Sequence, residues 1–214
     1  MYLDHNERKI GAQFSQSGYV VQNIENEAAL KNLQGAFLRH LSLKYDVDEN
    51  NMESWLNNTH KLISPDKLND FRLDVIQAIN NESGFRESYY LLAKPLLETI
   101  VGNELAMQRK VNLSIQMPGD KSSLLDVHAD TWSGDSPFEV VVWVPLVNCY
   151  GTKTMFILPP DKARLFHENY EKLATKNSED LFKYIEADLE WIDIKVGQCL
   201  IFNQTLPHGN RVNG

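Results

Sequence analysis

Near residue 110 the hydrophobic pattern of this chain changes period. Before that point apolar residues recur at helical spacing, as in residues 25–45, where Leu30, Leu33, Phe37 and Leu41 share one face. After Lys110 they come in short runs, VNLSIQM, SSLLDVHAD, FEVVVWVPLV, KTMFILP and WIDIKVGQCLIFNQ, punctuated by PGD, SGDSP and CYG. A helix buries a stripe repeating every 3.6 residues and a strand buries alternate residues, so no one segment satisfies both. Helices gathered ahead of a series of short strands predict an α+β fold with a β-sandwich or jelly-roll core. The helical part is expected over about residues 1–109 and the strand-rich part over about 110–214. One domain is expected, because 214 residues, 43% of them hydrophobic, can enclose a single sizeable core.

Finer signals divide the two parts. GYVVQNI, residues 18–24, alternates and reads as an early strand. Ser64-Pro65-Asp66 announces a helix over 67–79, and Asn81, Ser83 and Gly84 break the chain before another at about 87–101. Residues 161–190 interrupt the strands with a charged, helical insert. Net charge is −8 with no block of like charges, so a nucleic-acid or anionic-membrane partner is not expected and a small-molecule substrate is. Cys149 and Cys199 match no zinc spacing, and no apolar run approaches the roughly 18 residues of a membrane span. These features predict a reduced, cytoplasmic protein and fix no oligomeric state.

The segment DVHADTWSGDSP, residues 126–137, sets His128 and Asp130 two apart just ahead of an apolar run. Chance alone supplies about 0.4 His-x-Asp triplets in a chain of this composition, so position must decide. Residues i and i+2 of an extended segment point the same way, which lets both side chains reach one ion. A third ligand is available at His208, in LPHGNRVNG after the strand-like GQCLIFNQ. Two imidazoles and a carboxylate match the facial triad of non-haem Fe(II) oxygenases. Spacing also allows the plainer reading of three polar residues near strand ends.

HADTWSGDSPFEVVVWVPLVNCYGTKTMFILPP and GQCLIFNQTLPHGNRVN resemble the 2-oxoglutarate/Fe(II)-dependent oxygenases, most of all the sporadic carbohydrate cluster group. The resemblance covers about residues 110–214, and GYVVQNIEN is similar to the start of such domains. It implies a double-stranded β-helix with His128, Asp130 and His208 on Fe(II), and 2-oxoglutarate and dioxygen as co-reactants. The implied reaction is hydroxylation or desaturation of a small molecule, such as a sugar, sugar nucleotide or glycan precursor. In that family a basic residue on a last strand beyond the distal histidine pairs with the far carboxylate of 2-oxoglutarate. This sequence ends at Gly214, six residues after His208, so the expectation is that this last strand is missing.

A buried carboxylate still needs a cation or several donors. Lys153 is the first candidate and Arg211 the second, with the Thr154 hydroxyl beside them. Asn112 and Gln116, on the polar face of an alternating segment, are further cosubstrate candidates, while Trp132 and Asp135 are placed to cover the substrate. Asn210 and Gln204 are candidates to orient the ligands. The alternatives are a catalytically silent jelly-roll binding module and a cupin-like metal-dependent isomerase of sugar nucleotides.

Overall fold

The computed structural model describes residues 4–173 and 175–214. Helix α1 (His5–Ser17) opens at a reciprocal cap in which the Glu7 N–H donates to Asp4 Oδ1 at 2.8 Å and the Asp4 N–H to Glu7 Oε2 at 2.7 Å. Helices α2 (Glu27–Ser42), α3 (Met52–Asn57), α4 (Leu68–Asn81) and α5 (Phe85–Ile100) follow. A 3-10 turn over Pro65–Lys67 leads into α4, where Leu68, Phe71, Val75 and Ile79 are buried at helical spacing. In α2, Leu33, Phe37 and Leu41 are buried and Leu30 packs beside them half-exposed. The insert carries three helices among the described residues, α6 (Pro160–Glu168), α7 (Tyr170–Leu173) and α8 (Ser178–Ile185). Among the described residues no helix is long and apolar enough to cross a membrane.

Two three-stranded antiparallel sheets carry the rest. β1 (Tyr19–Asn23), β5 (Gln198–Asn203) and β2 (Val140–Trp143) form one, in the order β1-β5-β2. β4 (Glu190–Trp191), β3 (Met155–Ile157) and β6 (His208–Asn210) form the other, in the order β4-β3-β6. Strand periodicity sorts the first sheet's side chains between two cores. Val20, Ile201 and Val142 stand in register and pack with the helices α2, α4 and α5. Their neighbours Val21, Leu200 and Trp143, also in register, pack on the other face with Phe156 and Ile157 of β3. Leu200, Ile201 and Phe202 are at most 3% exposed. Each contributes about 1.5–3 kcal/mol by burial.

Two expected strands form no ladder. Residues 111–117 keep the alternation, with Val111 and Met117 buried and Asn112 and Ser114 exposed, but among the described residues they pair with no strand, and the adjoining bridge runs from Pro118 to Asn213. The Val111 N–H and C=O bond instead to the Asn80 side chain of α4. Residues 122–130 likewise form no ladder among the described residues: they join β6 through the bridge between His128 and His208 and the bond from the Asn210 N–H to the Leu125 carbonyl. Alternation records which residues are buried, and it does not specify a hydrogen-bonding neighbour.

Candidate metal centre

His208 opens β6, opposite Ile157 of β3. On the other side of β6 lies His128, and the two histidines exchange backbone bonds, His128 N–H to the His208 carbonyl at 3.0 Å and His208 N–H to the His128 carbonyl at 2.8 Å. Asp130 starts a 3-10 turn (Asp130–Ser133), and its N–H donates to the Gln204 carbonyl at 3.1 Å in the turn between β5 and β6. Backbone bonds thus hold all three residues, and the imidazole ring centres are 4.3 Å apart. Asp130 Oδ1 lies 3.5 Å from His128 Nε2 and 3.9 Å from His208 Nε2. One ligand atom from each residue falls within 4.8 Å of the others, close enough for a single ion.

The ring orientations are set from behind. His128 Nδ1 is 2.7 Å from the Asp126 carbonyl and His208 Nδ1 is 2.9 Å from the Leu206 carbonyl. A carbonyl only accepts, so each Nδ1 carries a proton, and a ring in its neutral form then has its Nε2 lone pair toward Asp130. Charge follows the same geometry. With its ring protonated at both nitrogens, His128 donates through Nε2 to Asp130; this hydrogen bond holds the Asp130 carboxyl below its usual range and raises His128. Burial lowers His208, whose side chain is only 7% exposed against 33% for His128. The site thus holds an ionised carboxylate beside two nitrogen donors, a donor set suited to a divalent metal.

No family model matches the chain, and no curated protein matches it. Among solved structures, apo HygX from Streptomyces hygroscopicus aligns with a TM-score of 0.50 at 13% identity, covering 99% of this chain and 82% of that one. EctD from S. alaskensis with bound Fe aligns with a TM-score of 0.51 at 15% identity, covering 100% and 74%. The chain shares the fold of apo HygX and EctD. HygX with nickel and 2-oxoglutarate bound aligns at 0.46 with 13% identity over 99% of this chain and 82% of that one.

Within this fold the remaining candidates separate into two groups. Asn112, Gln116 and Lys153 line a cavity of about 370 Å³ that also reaches Phe37, Val75 and Trp143, and none of the three ligand residues is on its wall. The Lys153 ammonium donates to Asn57 Oδ1 of α3 and lies 5.9 Å from the centre of the Tyr150 ring. Gln116 Nε2 donates to the Arg211 carbonyl at 3.2 Å. The Arg211 side chain is used elsewhere: its guanidinium pairs with Glu179 at 2.8 Å and lies 4.1 Å over the Phe182 ring, both on α8. The buried Thr154 hydroxyl donates to the Ile192 carbonyl at 2.6 Å.

Trp132 stacks on Phe166 of α6, ring centres 5.8 Å apart and 15° between planes, which places it against the insert. Asp135 is exposed on the loop that follows. The support residues are better defined. Gln204, 4% exposed, bonds through Nε2 to the Ser136 carbonyl at 2.8 Å and to Glu139 Oε2 at 3.2 Å, while its own carbonyl holds Asp130. It therefore ties the loop after Asp130 to the turn before His208. The role of α8 is not legible in the sequence: Ser178 Oγ donates to the Asp126 carboxylate at 2.9 Å and Glu179 pairs with Arg211, so one helix start braces both ligand-bearing segments. Both contacts span more than thirty residues, and no local pattern announces them.

Proposed function

We propose that this protein is an Fe(II)- and 2-oxoglutarate-dependent dioxygenase acting on a small molecule, with His128, Asp130 and His208 as the iron ligands. The observation that carries the reading is the convergence of two Nε2 lone pairs and one ionised carboxylate on an oxygenase-like fold, with both Nδ1 atoms already anchored. The two sheets are read as the halves of a double-stranded β-helix within a single domain. Bound iron would supply activation of dioxygen coupled to decarboxylation of 2-oxoglutarate.

The chain's own residues bind, orient and exclude water. Lys153 is assigned the far carboxylate of 2-oxoglutarate, because it is a cation on a cavity wall whose described partner is a neutral amide. Asn112 and Gln116 line the same cavity and offer amide groups to the cosubstrate. Arg211 is assigned a bracing role on α8 instead. Trp132 and Asp135 are assigned to cover the substrate. The sequence resemblance favours a sugar, sugar nucleotide or glycan precursor as substrate and hydroxylation or desaturation as the outcome.

The test is succinate release from 2-oxoglutarate in purified protein with Fe(II), with and without a panel of sugar nucleotides. Succinate should require both Fe(II) and 2-oxoglutarate, and Asp130→Ala should abolish it while the circular dichroism spectrum stays native. Turnover of a sugar nucleotide without 2-oxoglutarate would replace this reading with a metal-dependent isomerase. Undiminished succinate formation by Asp130→Ala would remove the proposed iron site.

A further inference from the structure

The strand pairing beside His128 is irregular. His128 and His208 exchange both backbone bonds, so a regular antiparallel ladder would next pair Asp126 with Asn210. Asn210 is paired with Leu125 instead. Its N–H donates to the Leu125 carbonyl at 2.9 Å, and the Leu125 N–H donates to the Asn210 side-chain Oδ1 at 2.8 Å. Three residue steps on one segment therefore oppose two on the other, which is a β-bulge at Asp126 and Val127.

The bulge has a chemical consequence. With the ladder position taken by Leu125, the Asp126 carbonyl is free to turn onto His128 Nδ1, which it meets at 2.7 Å. Two neighbours keep this arrangement close to β6. Gly209 has no side chain, and a Cβ there would stand 2.6 Å from the Leu125 oxygen and 3.0 Å from the Asp126 oxygen. Val127, 7% exposed, anchors the bulge in the core shared with Phe156 and Leu200.

We propose that Asn210 is a positioning residue for His128. Its side-chain oxygen holds the bulge that delivers the Asp126 carbonyl to His128 Nδ1, and so leaves Nε2 as the lone pair facing Asp130. Asn210 is 6% exposed, so water does not substitute freely for its amide oxygen. The side chain suits the task because it reaches the Leu125 N–H from a residue whose own N–H is already donated to Leu125. The role rests on the iron reading only where metal binding is measured, since the tautomer of His128 is a property of the metal-free protein.

The experiment combines both readouts on one set of samples. Long-range 1H–15N correlation spectra of 15N-histidine-labelled, metal-free protein report the tautomer, with His128→Gln identifying the His128 signals. Titration with Co(II) reports affinity. In the wild type, neutral His128 should carry its proton on Nδ1. Asn210→Ala should mix the tautomers and weaken Co(II) binding about 10–100-fold, the usual effect of removing a partner that orients a ligand, whereas Asn210→Asp should stay within about 3-fold. Asn210→Asp retains the acceptor oxygen and should keep the Nδ1–H tautomer.

An unchanged tautomer and affinity in Asn210→Ala would overturn the proposal. Equal losses in the Ala and Asp variants would also overturn it, since the acceptor oxygen would then not be what matters. If Asn210→Ala fails to fold, Asn210→Gln asks the same question by shifting the oxygen one methylene: loss there with retention in Asn210→Asp supports the role, and identical behaviour refutes it. Absence of Co(II) binding in the wild type with the tautomer shift intact would remove the metal reading and leave the positioning role supported.

Discussion

Replacing Gly209 by alanine places one methyl group where β6 lies closest to the His128 segment. The new Cβ would sit 2.6 Å from the Leu125 carbonyl oxygen, 3.0 Å from that of Asp126 and 3.0 Å from Cζ of Phe156. None of these can swing aside, since two are backbone atoms and Phe156 is fully buried. Reaching the 3.4 Å at which ordinary contact begins requires the Leu125 oxygen to retreat by about 0.8 Å. Its bond from the Asn210 N–H, now 2.9 Å, would stretch past hydrogen-bonding distance.

Overpacking costs roughly 1–3 kcal/mol, and the lost bond about 1 kcal/mol more. For a chain of this size that total corresponds to a fall in Tm of roughly 5–15 °C, at 2–4 °C per kcal/mol. Because the same displacement carries the Asp126 carbonyl away from His128, Co(II) affinity should fall about 10–100-fold in the protein that remains folded. Gly11→Ala in α1 is the matched control: nothing lies within 4 Å of its new Cβ, and alanine in a helix interior should leave Tm unchanged or slightly higher. Differential scanning calorimetry and Co(II) titration of both variants make the comparison. A Gly209→Ala protein melting within 1–2 °C of wild type and binding Co(II) equally well would refute the packing argument.

Metal affinity should depend on pH through His128. Its folded pKa is raised above 6.5 by the bond to Asp130, so in metal-free protein the pair contributes stability that is complete below pH 6.5 and lost as the pH rises through the raised value. Asp130, held below 3.8, contributes stability above that value and loses it as the pH falls through its lowered one. A metal must displace the His128 proton, so below the raised value Co(II) affinity should weaken about tenfold per pH unit. A titration series that is flat down to about pH 5 would contradict this. His208 runs opposite: burial lowers it, so the unfolded chain takes up its proton first, and this contribution to stability shrinks as the pH falls below 6.5. His208→Gln should flatten that part of the pH dependence of Tm.

Lys153→Ala should weaken 2-oxoglutarate binding roughly 10–100-fold, the value of a charge-assisted bond, with calorimetric titration as the assay. Arg211→Ala should leave that affinity within about twofold and lower Tm by roughly 1–4 °C through loss of its stacking on Phe182. The reverse pattern would move the cosubstrate contact to Arg211.

The sequence by itself determined the local alphabet of this protein. The 3.6-residue spacing of Leu33, Phe37 and Leu41 shows the buried face of α2, because a helix buries side chains one above another. The unbroken apolar run from Cys199 to Phe202 shows a strand with two buried faces, and the spacing of His128 and Asp130 puts two donors within reach of each other. The Asp4 and Glu7 cap of α1 is an end signal that apolar spacing does not reveal, and it emerges with the structure. Tertiary structure decided which of these segments meet. Alternation fixed the burial of residues 111–117 but could not say that the backbone of Val111 would bond to Asn80 rather than to a strand. Arg211 lies three positions from His208 in the sequence, but its contacts with Glu179 and Phe182 of α8 exist only in the fold. The bulge at Asp126 depends on Leu125, Gly209 and Asn210 at once. A one-residue slip in register is invisible to side-chain pattern when the segment pairs only through two or three bonds, so only the folded backbone sets it.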